Sequence, residues 1–345
     1  MLEASIIMPT KNRAPYLEKT LKSLLHLNTP PDQFEILVCD NGSSDDTAKV
    51  VEQLQQAYPA FSLFYFYEPT PGSMCARHCG LSHARSEILC FTDDDLNYSS
   101  NWLNEILRLF RENPQVDMLG GPSLPIFEAT PPDWMKFFFE EDYEKGFCCD
   151  LFSLLYLPNV SQPKPINPLL IWSLNLAIRK KCFLECGGFH QCVTAKEYQY
   201  LQGDGESGLT IRFRDLGKIA WYSPAIEVQH VIPRNRMTVD FLDNRFFYNG
   251  ICDSFTDIRR SHGLYLKPKL TLRDRFWLFR QHLLHPRSPR DYDFPMSQKE
   301  KVLRMRLYWQ YQAGYKFHQE AVRNNPKLLQ YVLKENYFDY ALPDL

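Results

Sequence analysis

The chain has 345 residues, of which 44% are hydrophobic and 14% aromatic, enough for a sizeable core in one large domain or two. Its formal net charge of −2 argues against a nucleic-acid binder that relies on phosphate contacts. No uninterrupted apolar run reaches the ~20 residues of a membrane span, and the ten cysteines include no Cys-x-x-Cys pair. Together with an N-terminus that lacks a signal-peptide pattern, these features predict a reduced, cytoplasmic protein.

Strand and helix patterns alternate through the first third of the chain. Such alternation is typical of a mostly parallel sheet with helices on both faces, so the predicted fold class is α/β. Apolar runs predict strands at residues 4–8, 34–39, 61–67 and 88–91, and helical spacing predicts helices at about 13–27, 44–58 and 74–84.

Three consecutive carboxylates, Asp93, Asp94 and Asp95, directly follow Thr92 and the predicted buried strand before it. Residues two apart in an extended chain point the same way, so we expect Asp93 and Asp95 on one face and Asp94 on the other. Two carboxylates placed together repel each other unless a cation neutralises them, and a divalent ion that prefers oxygen ligands does this well. The alternative is an acidic turn that caps the helix predicted to begin near residue 99.

Polar residues also end the first two predicted strands. Pro9 and Thr10 follow the first strand, and Asp40 follows the second. Ligands of such sheets bind beyond the carboxyl ends of the strands, so the three ends predict one ligand site at this edge.

Four stretches, in this order, resemble the family 2 glycosyltransferases, which have the GT-A fold. They are Ser5-Ile-Ile-Met-Pro-Thr-Lys-Asn-Arg, Ile36-Leu-Val-Cys-Asp-Asn-Gly-Ser-Ser-Asp-Asp-Thr, Pro71-Gly-Ser-Met-Cys-Ala-Arg-His-Cys-Gly and Phe91-Thr-Asp-Asp-Asp, the last at the family's Asp-x-Asp motif. The resemblance implies transfer of a sugar from a nucleotide-diphosphate donor, with a UDP-sugar expected first, to a hydroxyl of a glycan or lipid-linked acceptor. It also implies Mn²⁺ or Mg²⁺ as cofactor and inversion at the anomeric carbon.

The resemblance assigns a role to each strand end. The implied nucleotide-binding residues are Pro9, Thr10, Asp40, Arg77, Asp93 and Asp94, and the implied metal ligands are Asp95, Asp93 and His230. A lone histidine is also commonly structural, so both roles stay open for His230. Ligation by its imidazole would shift the preference from Mg²⁺ towards Mn²⁺. His78 stands where the family usually has asparagine, which leaves its role open.

Two acids of the second half, Asp204 and Glu206, lie where the family has an adjacent acidic pair. Spacing to Leu209 and to the Arg-x-Arg run from Arg212 aligns Glu206 with the family's catalytic acid. We expect both acids to face one cleft, with Glu206 as general base and Asp204 orienting the acceptor or sugar, or with these two roles reversed. The alternative is that both serve the N-terminus of the following helix.

Trp172 and Asn175 lie in a strand-like stretch that resembles the family's sugar site, followed by a Gly-Gly-Phe turn. The resemblance implies contact with the donor sugar or the acceptor. Core packing is the alternative for Trp172, since a large aromatic residue in an apolar strand is often buried.

The chain is predicted to have a GT-A catalytic domain at residues 1–250 and a helical C-terminal extension at residues 251–345. The nucleotide-binding part covers about 1–120 and the acceptor-side part about 121–250, with proline-rich loops at 120–132 and 158–168. In the extension, helices are predicted at 270–284, 298–317 and 326–337. Basic and aromatic residues cluster at 259–280, which fits a helix lying on the inner face of an anionic membrane, a helix packed on the catalytic domain, or a homodimer contact.

Two other functions compete with glycosyl transfer. A sugar-nucleotidyltransferase uses a similar sheet, but the stretch from Pro9 to Arg13 lacks the glycines of its activation loop. A catalytically inactive homologue that serves as a binding or scaffold subunit is the second, and the retained carboxylates count against it.

Overall fold

The computed structural model describes residues 2–139, 146–192, 196–266, 298–341 and 343. The strands are β1 Ala4–Thr10, β2 Phe34–Asp40, β3 Ser62–Tyr67, β4 Ile88–Thr92, β5 Leu96–Tyr98, β6 Met118–Gly120, β7 Ser123–Phe127, β8 Phe147–Cys149, β9 Leu154–Tyr156, β10 Lys164–Pro165, β11 Asn175–Arg179, β12 Ala220–Tyr222 and β13 Val228–Ile232. The α-helices are α1 Ala14–Leu24, α2 Thr47–Ala57, α3 Ser73–His83, α4 Trp102–Glu112, α5 Lys180–Glu185, α6 Glu206–Asp215, α7 Val239–Ser261, α8 Gln298–Asn324 and α9 Pro326–Val332.

Eight strands form the larger sheet, in the order β10-β12-β6-β11-β4-β1-β2-β3. Strands β4, β1, β2 and β3 run parallel to one another, whereas β11 is antiparallel to both β4 and β6. The predicted α/β class with a mostly parallel sheet is confirmed for the first third of the chain.

Strand β1 lies at the centre of this fold and is buried along its whole length. Its residues alternate between two cores: Ala4, Ile6 and Met8 pack with helices α1, α2 and α4, and Ile7 packs on the opposite face with α3, α5 and α6. Because helices cover both faces, the strand is a continuous apolar run rather than an alternating one.

A second sheet has the order β5-β13-β7-β9-β8. The prediction of a loop over residues 120–132 is wrong for Ser123–Phe127, which pairs in parallel with β13. Pro125, which we took as a loop signal, lies opposite His230 in this pairing. The partner strand is distant in sequence, so no local pattern reveals the pairing.

Helix α7 runs through the predicted domain boundary at residue 250 and packs along α8. Helix α8 begins at the predicted Gln298 and continues beyond residue 317, whereas the predicted helix at 270–284 lies outside the described residues. Arg259, counted in the basic cluster, is buried and donates to the carbonyls of Val332 and Lys334. Within the described ranges, no helix has the length and hydropathy needed to cross a membrane.

Two glycines allow the close approach of α7 and α8. A Cβ atom on Gly314 would lie 1.9 Å from the carbonyl oxygen of Phe247, and one on Gly250 would lie 2.0 Å from that of Tyr311. Backbone atoms cannot move aside as a flexible side chain can, so both positions require glycine.

Gly314→Ala is therefore expected to destabilise the protein. Alanine gains about 1 kcal/mol of helix propensity over glycine, but overpacking against a backbone carbonyl costs typically 1–3 kcal/mol, and we expect the clash to prevail. Urea denaturation measures the free energy of unfolding, with exposed Ala313→Ser on the same helix as control. A rise in stability for Gly314→Ala would contradict the tight crossing.

Candidate active site at the carboxyl ends of the strands

The carboxyl ends of β1 and β2 lie side by side, with Pro9 paired to Cys39 and Thr10 to Asp40. Strand β4 borders β1 on the other side, so the acidic turn after β4 reaches the same edge. There Thr10 Oγ1 donates a 2.7 Å hydrogen bond to Asp94 Oδ2. The structure thus brings together the strand ends that the sequence singles out.

Asp40 is buried, and both of its carboxylate oxygens have partners. Oδ1 accepts the backbone N–H of Ser43 at 2.8 Å, and Oδ2 accepts the hydroxyl of Tyr65 at 2.7 Å. Burial and this hydrogen bond raise the pKa of Tyr65 well above its usual range, so the phenol keeps its proton and remains a donor. A carboxylate has about four lone-pair sites, which leaves Asp40 capacity for a further donor.

The three Asp side chains of the acidic turn do not alternate between two faces as the sequence suggests. Asp93 pairs with the buried Arg77 of α3, whereas Asp94 and Asp95 both pair with Arg13, at 2.8 Å and 2.6 Å. The expectation that Asp93 and Asp95 share a face fails because residues 93–95 form a bend between β4 and β5 rather than extended chain.

Asp95 is 3% exposed, and its two oxygens have different surroundings. Oδ2 accepts a hydrogen bond from Arg13 and lies 3.5 Å from Nη2 of Arg236. Oδ1 is buried without a hydrogen-bond partner in the described part of the chain, and lies 3.5 Å from His230 Nε2, at the outer limit of such a bond. Burial acts to raise the pKa of Asp95, but a protonated His230, together with Arg236 and Arg13, lowers it to about 2.

His230 presents a lone pair towards this oxygen. Its Nδ1 lies 2.9 Å from the carbonyl oxygen of Phe152, which only accepts, so the neutral ring carries its proton on Nδ1. Nε2 is then an acceptor: it accepts from Arg236 Nη1 at 3.3 Å and also faces Asp95 Oδ1, a second acceptor. An oxygen and an imidazole nitrogen are donor atoms that a divalent cation accepts, and in this structure Arg236 supplies the positive charge beside them. Across the described ranges, no group of three or more His, Cys, Asp or Glu side chains is arranged to hold a metal.

Asp94 differs from its neighbour in its ionisation. Burial, together with the charge of Asp95, raises the pKa of Asp94 to about 7, against the opposing effects of Arg13 and Thr10. The turn therefore holds one firmly ionised carboxylate beside one that is more readily protonated.

Glu206 and Asp204 do not face the same cleft. Gly205 between them has φ +56° and ψ −121°, a conformation open to glycine, and it turns the chain sharply into α6. Asp204 is 4% exposed and points into the interior, where His190 and Thr256 bind it. Glu206 is half-buried, and its Oε2 accepts the backbone N–H of Ser173 at 2.5 Å. The extended loop that we expected is absent from this stretch because of Gly205.

Asn175 has all of its amide groups engaged in the core. Its Oδ1 accepts the indole N–H of Trp102 at 2.9 Å, and its Nδ2 donates to the carbonyls of Ile226 and Pro122. Trp172 is partly buried against two hydrophobic clusters. The geometry favours a packing role for both residues over the sugar contact that the resemblance implies.

His78, whose role the sequence leaves open, is a buried neutral imidazole. Its Nε2 accepts the backbone N–H of Phe189 at 3.0 Å, and burial lowers its pKa to about 3. All ten cysteines are free thiols, eight of them buried.

Sequence reasoning missed Arg13 and Arg236 as members of this site. Both stand within four residues of a strand's carboxyl end, after β1 and after β13. Their position just after a strand was the available signal in the sequence, because a basic residue there can reach carboxylates at the same edge of the sheet.

Comparison with known proteins now adds to this geometry. A model of glycosyl transferase family 2 matches residues 5–151, which include β1, the acidic turn and α3. This matched part of the chain belongs to glycosyl transferase family 2. The chain is an enzyme of the transferase class, and the family acts on nucleotide sugars.

The relatives of this glycosyltransferase differ in the share of their length that aligns with it. It is 26% identical over 265 residues to the succinoglycan biosynthesis protein ExoM of Rhizobium meliloti (strain 1021), spanning 73% of this chain and 74% of that protein. A Campylobacter jejuni protein, the GalNAc(5)-diNAcBac-PP-undecaprenol beta-1,3-glucosyltransferase, is 35% identical over 112 residues, which is 32% of this chain and 36% of that one. The match to the second relative thus concerns about a third of its length.

A solved structure shares the fold. The mannosyltransferase PcManGT from Pyrobaculum calidifontis, determined in complex with GDP-Man and Mn²⁺, aligns with a TM-score of 0.55 and 16% identity over 96% of this chain and 85% of that one. The likeness confirms the GT-A fold that the sequence predicts.

Asn175→Ala is expected to lower stability rather than to weaken acceptor binding. The change leaves the Trp102 indole N–H and the Ile226 carbonyl unpaired in the core, which costs about 1–3 kcal/mol. Thermal and urea unfolding measure the loss, with exposed Asn324→Ala as control. A raised acceptor KM with unchanged stability would instead support the sugar contact.

Proposed function

We propose that this glycosyltransferase transfers a sugar from a nucleotide-diphosphate donor to an acceptor hydroxyl with inversion, aided by a divalent cation. The observation that carries the proposal is the unpartnered buried oxygen of Asp95 facing the Nε2 of His230 at 3.5 Å. This oxygen lies at the edge of the sheet where β1 ends at Thr10 and β2 ends at Asp40, which is the expected place for a ligand in such a sheet.

The nucleotide is proposed to bind over the ends of β1 and β2. Asp40 can accept a further hydrogen bond from the base or ribose while Tyr65 and Ser43 hold its carboxylate in place. Pro9 and Thr10 line the adjacent strand end. Arg77, which pairs with the 34% exposed side chain of Asp93, is the cation proposed to face the donor phosphates.

Asp95 and His230 would hold the metal ion through Oδ1 and Nε2. Asp93, also expected as a ligand, is proposed instead to act through its pair with Arg77. A bound divalent ion stabilises the negative charge that develops on a departing diphosphate. Arg13 and Arg236 add fixed positive charge beside the same carboxylate.

Glu206 is the proposed general base. It opens helix α6, and its carboxylate is held by the backbone N–H of Ser173. It is half-buried, whereas Asp204 is directed into the interior, so Glu206 is the acid of this pair that an acceptor hydroxyl can approach. By removing the proton of the acceptor hydroxyl, Glu206 would make its oxygen a better nucleophile. The oxygen would then attack the anomeric carbon from the face opposite the leaving group.

The substrates are proposed from the relatives' names. A role in polysaccharide or glycan assembly follows the Rhizobium relative, and a lipid-linked acceptor follows the Campylobacter relative. A UDP-sugar is our first donor to test, followed by dTDP- and GDP-sugars. Nucleotide release from a panel of these donors, measured with and without acceptors and with Mn²⁺ or Mg²⁺, tests the whole proposal. Donor binding without any release would favour a scaffold role instead.

Asp95→Ala is expected to abolish metal-dependent turnover. It removes the unpartnered oxygen, so Mn²⁺ should no longer raise the melting temperature in the presence of UDP, a readout that does not need activity. Exposed Asp46→Asn, at the start of α2, is the control. Full turnover of Asp95→Ala, or of the unaltered enzyme in excess EDTA, would remove the metal from the proposal.

Glu206→Gln is expected to lower kcat by about 10²–10⁴-fold, the usual contribution of general-base catalysis. The amide keeps the size of the side chain and can still accept from Ser173, so donor affinity measured by calorimetry should change little. Exposed Ser207→Ala, the next residue, is the matched control. A fully active Glu206→Gln enzyme would mean that another group takes the proton.

A further inference from the structure

Asp204 is the centre of a buried polar cluster that lies away from the strand ends. We call Asp204, His190, Thr256 and Tyr265 the Asp204 cluster. The carboxylate Oδ1 binds His190 Nδ1, and Oδ2 accepts from Thr256 Oγ1 at 2.7 Å and from the hydroxyl of Tyr265 at 3.1 Å. An ionised carboxylate has no proton and can only accept, so His190 is the donor, through Nδ1. Three donors thus satisfy one buried carboxylate, which is the condition for burying an ion at acceptable cost.

The members of the Asp204 cluster come from separate parts of the chain. Thr256 lies on α7 and Tyr265 just after it, whereas His190 follows the Gly-Gly-Phe turn. Although burial acts to raise it, the pKa of Asp204 is lowered by His190, by Thr256 and by the nearby Arg259. The carboxylate is therefore ionised at neutral pH and binds its three donors firmly.

The C-terminal tail reaches the Asp204 cluster through aromatic and cationic contacts. The ring of Tyr337 lies 4.6 Å from that of His190, and its backbone N–H donates to the carbonyl of Gly187 at 3.1 Å. Arg259 lies 4.9 Å over the ring of Tyr265 while it donates to tail carbonyls. The region beyond residue 250 is thus built into the same network.

The other side of the Asp204 cluster is the loop that leads to Glu206. His190 N–H donates to the carbonyl of Gly205 at 3.1 Å, and the N–H of Ser207 donates to that of Asp204 at 2.9 Å. A Cβ on Gly208 would lie 2.3 Å from His190 Nδ1, so α6 also packs directly on the cluster. The first turn of α6, which carries Glu206, has little freedom to move while these contacts hold.

We propose that Asp204 is a positioning residue, which ties the loop before Glu206 to α7 and the C-terminal tail so that the C-terminal layer sets the position of the catalytic base. The proposal rests on the proposed function, because it takes Glu206 as the base. It replaces the expectation that Asp204 touches the acceptor or the sugar, since three donors of the cluster already bind its carboxylate, against two for Asp40.

The test removes one donor without removing the carboxylate. Thr256→Val keeps the shape of the side chain and loses the hydroxyl, whereas Thr256→Ser keeps the hydroxyl. Exposed Asp257→Asn, the next residue on α7, is the control. The measurements are kcat, donor affinity by calorimetry, and hydrogen exchange at the amides of residues 203–207, which reports loop opening without any need for activity.

We expect Thr256→Val to lower kcat by about 10–10²-fold, the effect of a displacement near 1 Å, with unchanged donor affinity and faster exchange in the loop. Thr256→Ser and Asp257→Asn should match the unaltered enzyme. Unchanged exchange in Thr256→Val would overturn the proposal, as would faster exchange with unaltered kcat. If Thr256→Val does not fold, Tyr265→Phe removes a second donor of the cluster and is measured in the same way. If Glu206 is not the base, the Glu206→Gln enzyme remains active. That result is separate from the exchange and kcat results that would overturn the positioning role of Asp204.

Discussion

Two buried carboxylates at the end of β4 set the conditions that the surrounding structure has to meet. Asp94 and Asp95 are 6% and 3% exposed, and an ionised group at such depth is costly unless it is paired and hydrogen-bonded. Arg13 contacts both, Arg236 approaches the same oxygen of Asp95 as Arg13 does, and His230 approaches the other oxygen. The start of α1 and the segment after β13 must therefore converge on this turn, although they are far apart in sequence.

The same requirement joins the two sheets. The backbone of the acidic turn is held from both directions, since Thr20 of α1 donates to the Asp94 carbonyl at 2.8 Å and Val231 of β13 donates to the Asp95 carbonyl at 2.9 Å. The second sheet is thus fixed to the larger sheet at the site itself. A turn held through its backbone keeps its carboxylates in place before any ligand arrives, which is the preorganisation that electrostatic catalysis needs.

The parts of the fold that the sequence predicts are those with a local signal. Strands β1, β2 and β4 are continuous apolar runs that end in polar residues, and so their carboxyl ends and Asp40 and Asp95 could be located from the sequence. Strand β7 could not, because Pro125 argues against a strand and the segment is extended through its pairing with the distant β13 and β9. The separation of Asp204 from Glu206 depends on one positive φ angle at Gly205, which spacing alone does not reveal.

The chemistry of His230 and Asn175 shows a further limit of motifs. Both were candidates for ligand contact, yet the structure gives them opposite surroundings. Asn175 has donors and acceptors for its whole amide within the core, whereas His230 Nε2 has only Arg236 at 3.3 Å and lies beside an unpaired oxygen of Asp95. Unsatisfied polar atoms, rather than residue type, separate a structural side chain from one that has room for a ligand.

The charges around the acidic turn constrain how the metal ion and the donor can bind in the proposed mechanism. Each carboxylate of the acidic turn already has an arginine nearby: Arg77 for Asp93, and Arg13 for Asp94 and Asp95, with Arg236 3.5 Å from Asp95. A divalent ion that enters alone adds positive charge to carboxylates that are already paired, so it competes with guanidinium groups. A donor diphosphate that enters alone meets arginines whose charge the carboxylates already neutralise. If both entered together, the diphosphate would supply anions for the arginines, and the metal would supply positive charge for Asp95. In the proposed mechanism, metal and donor would therefore bind cooperatively, and the arginines paired with the acidic turn would be the source of that coupling.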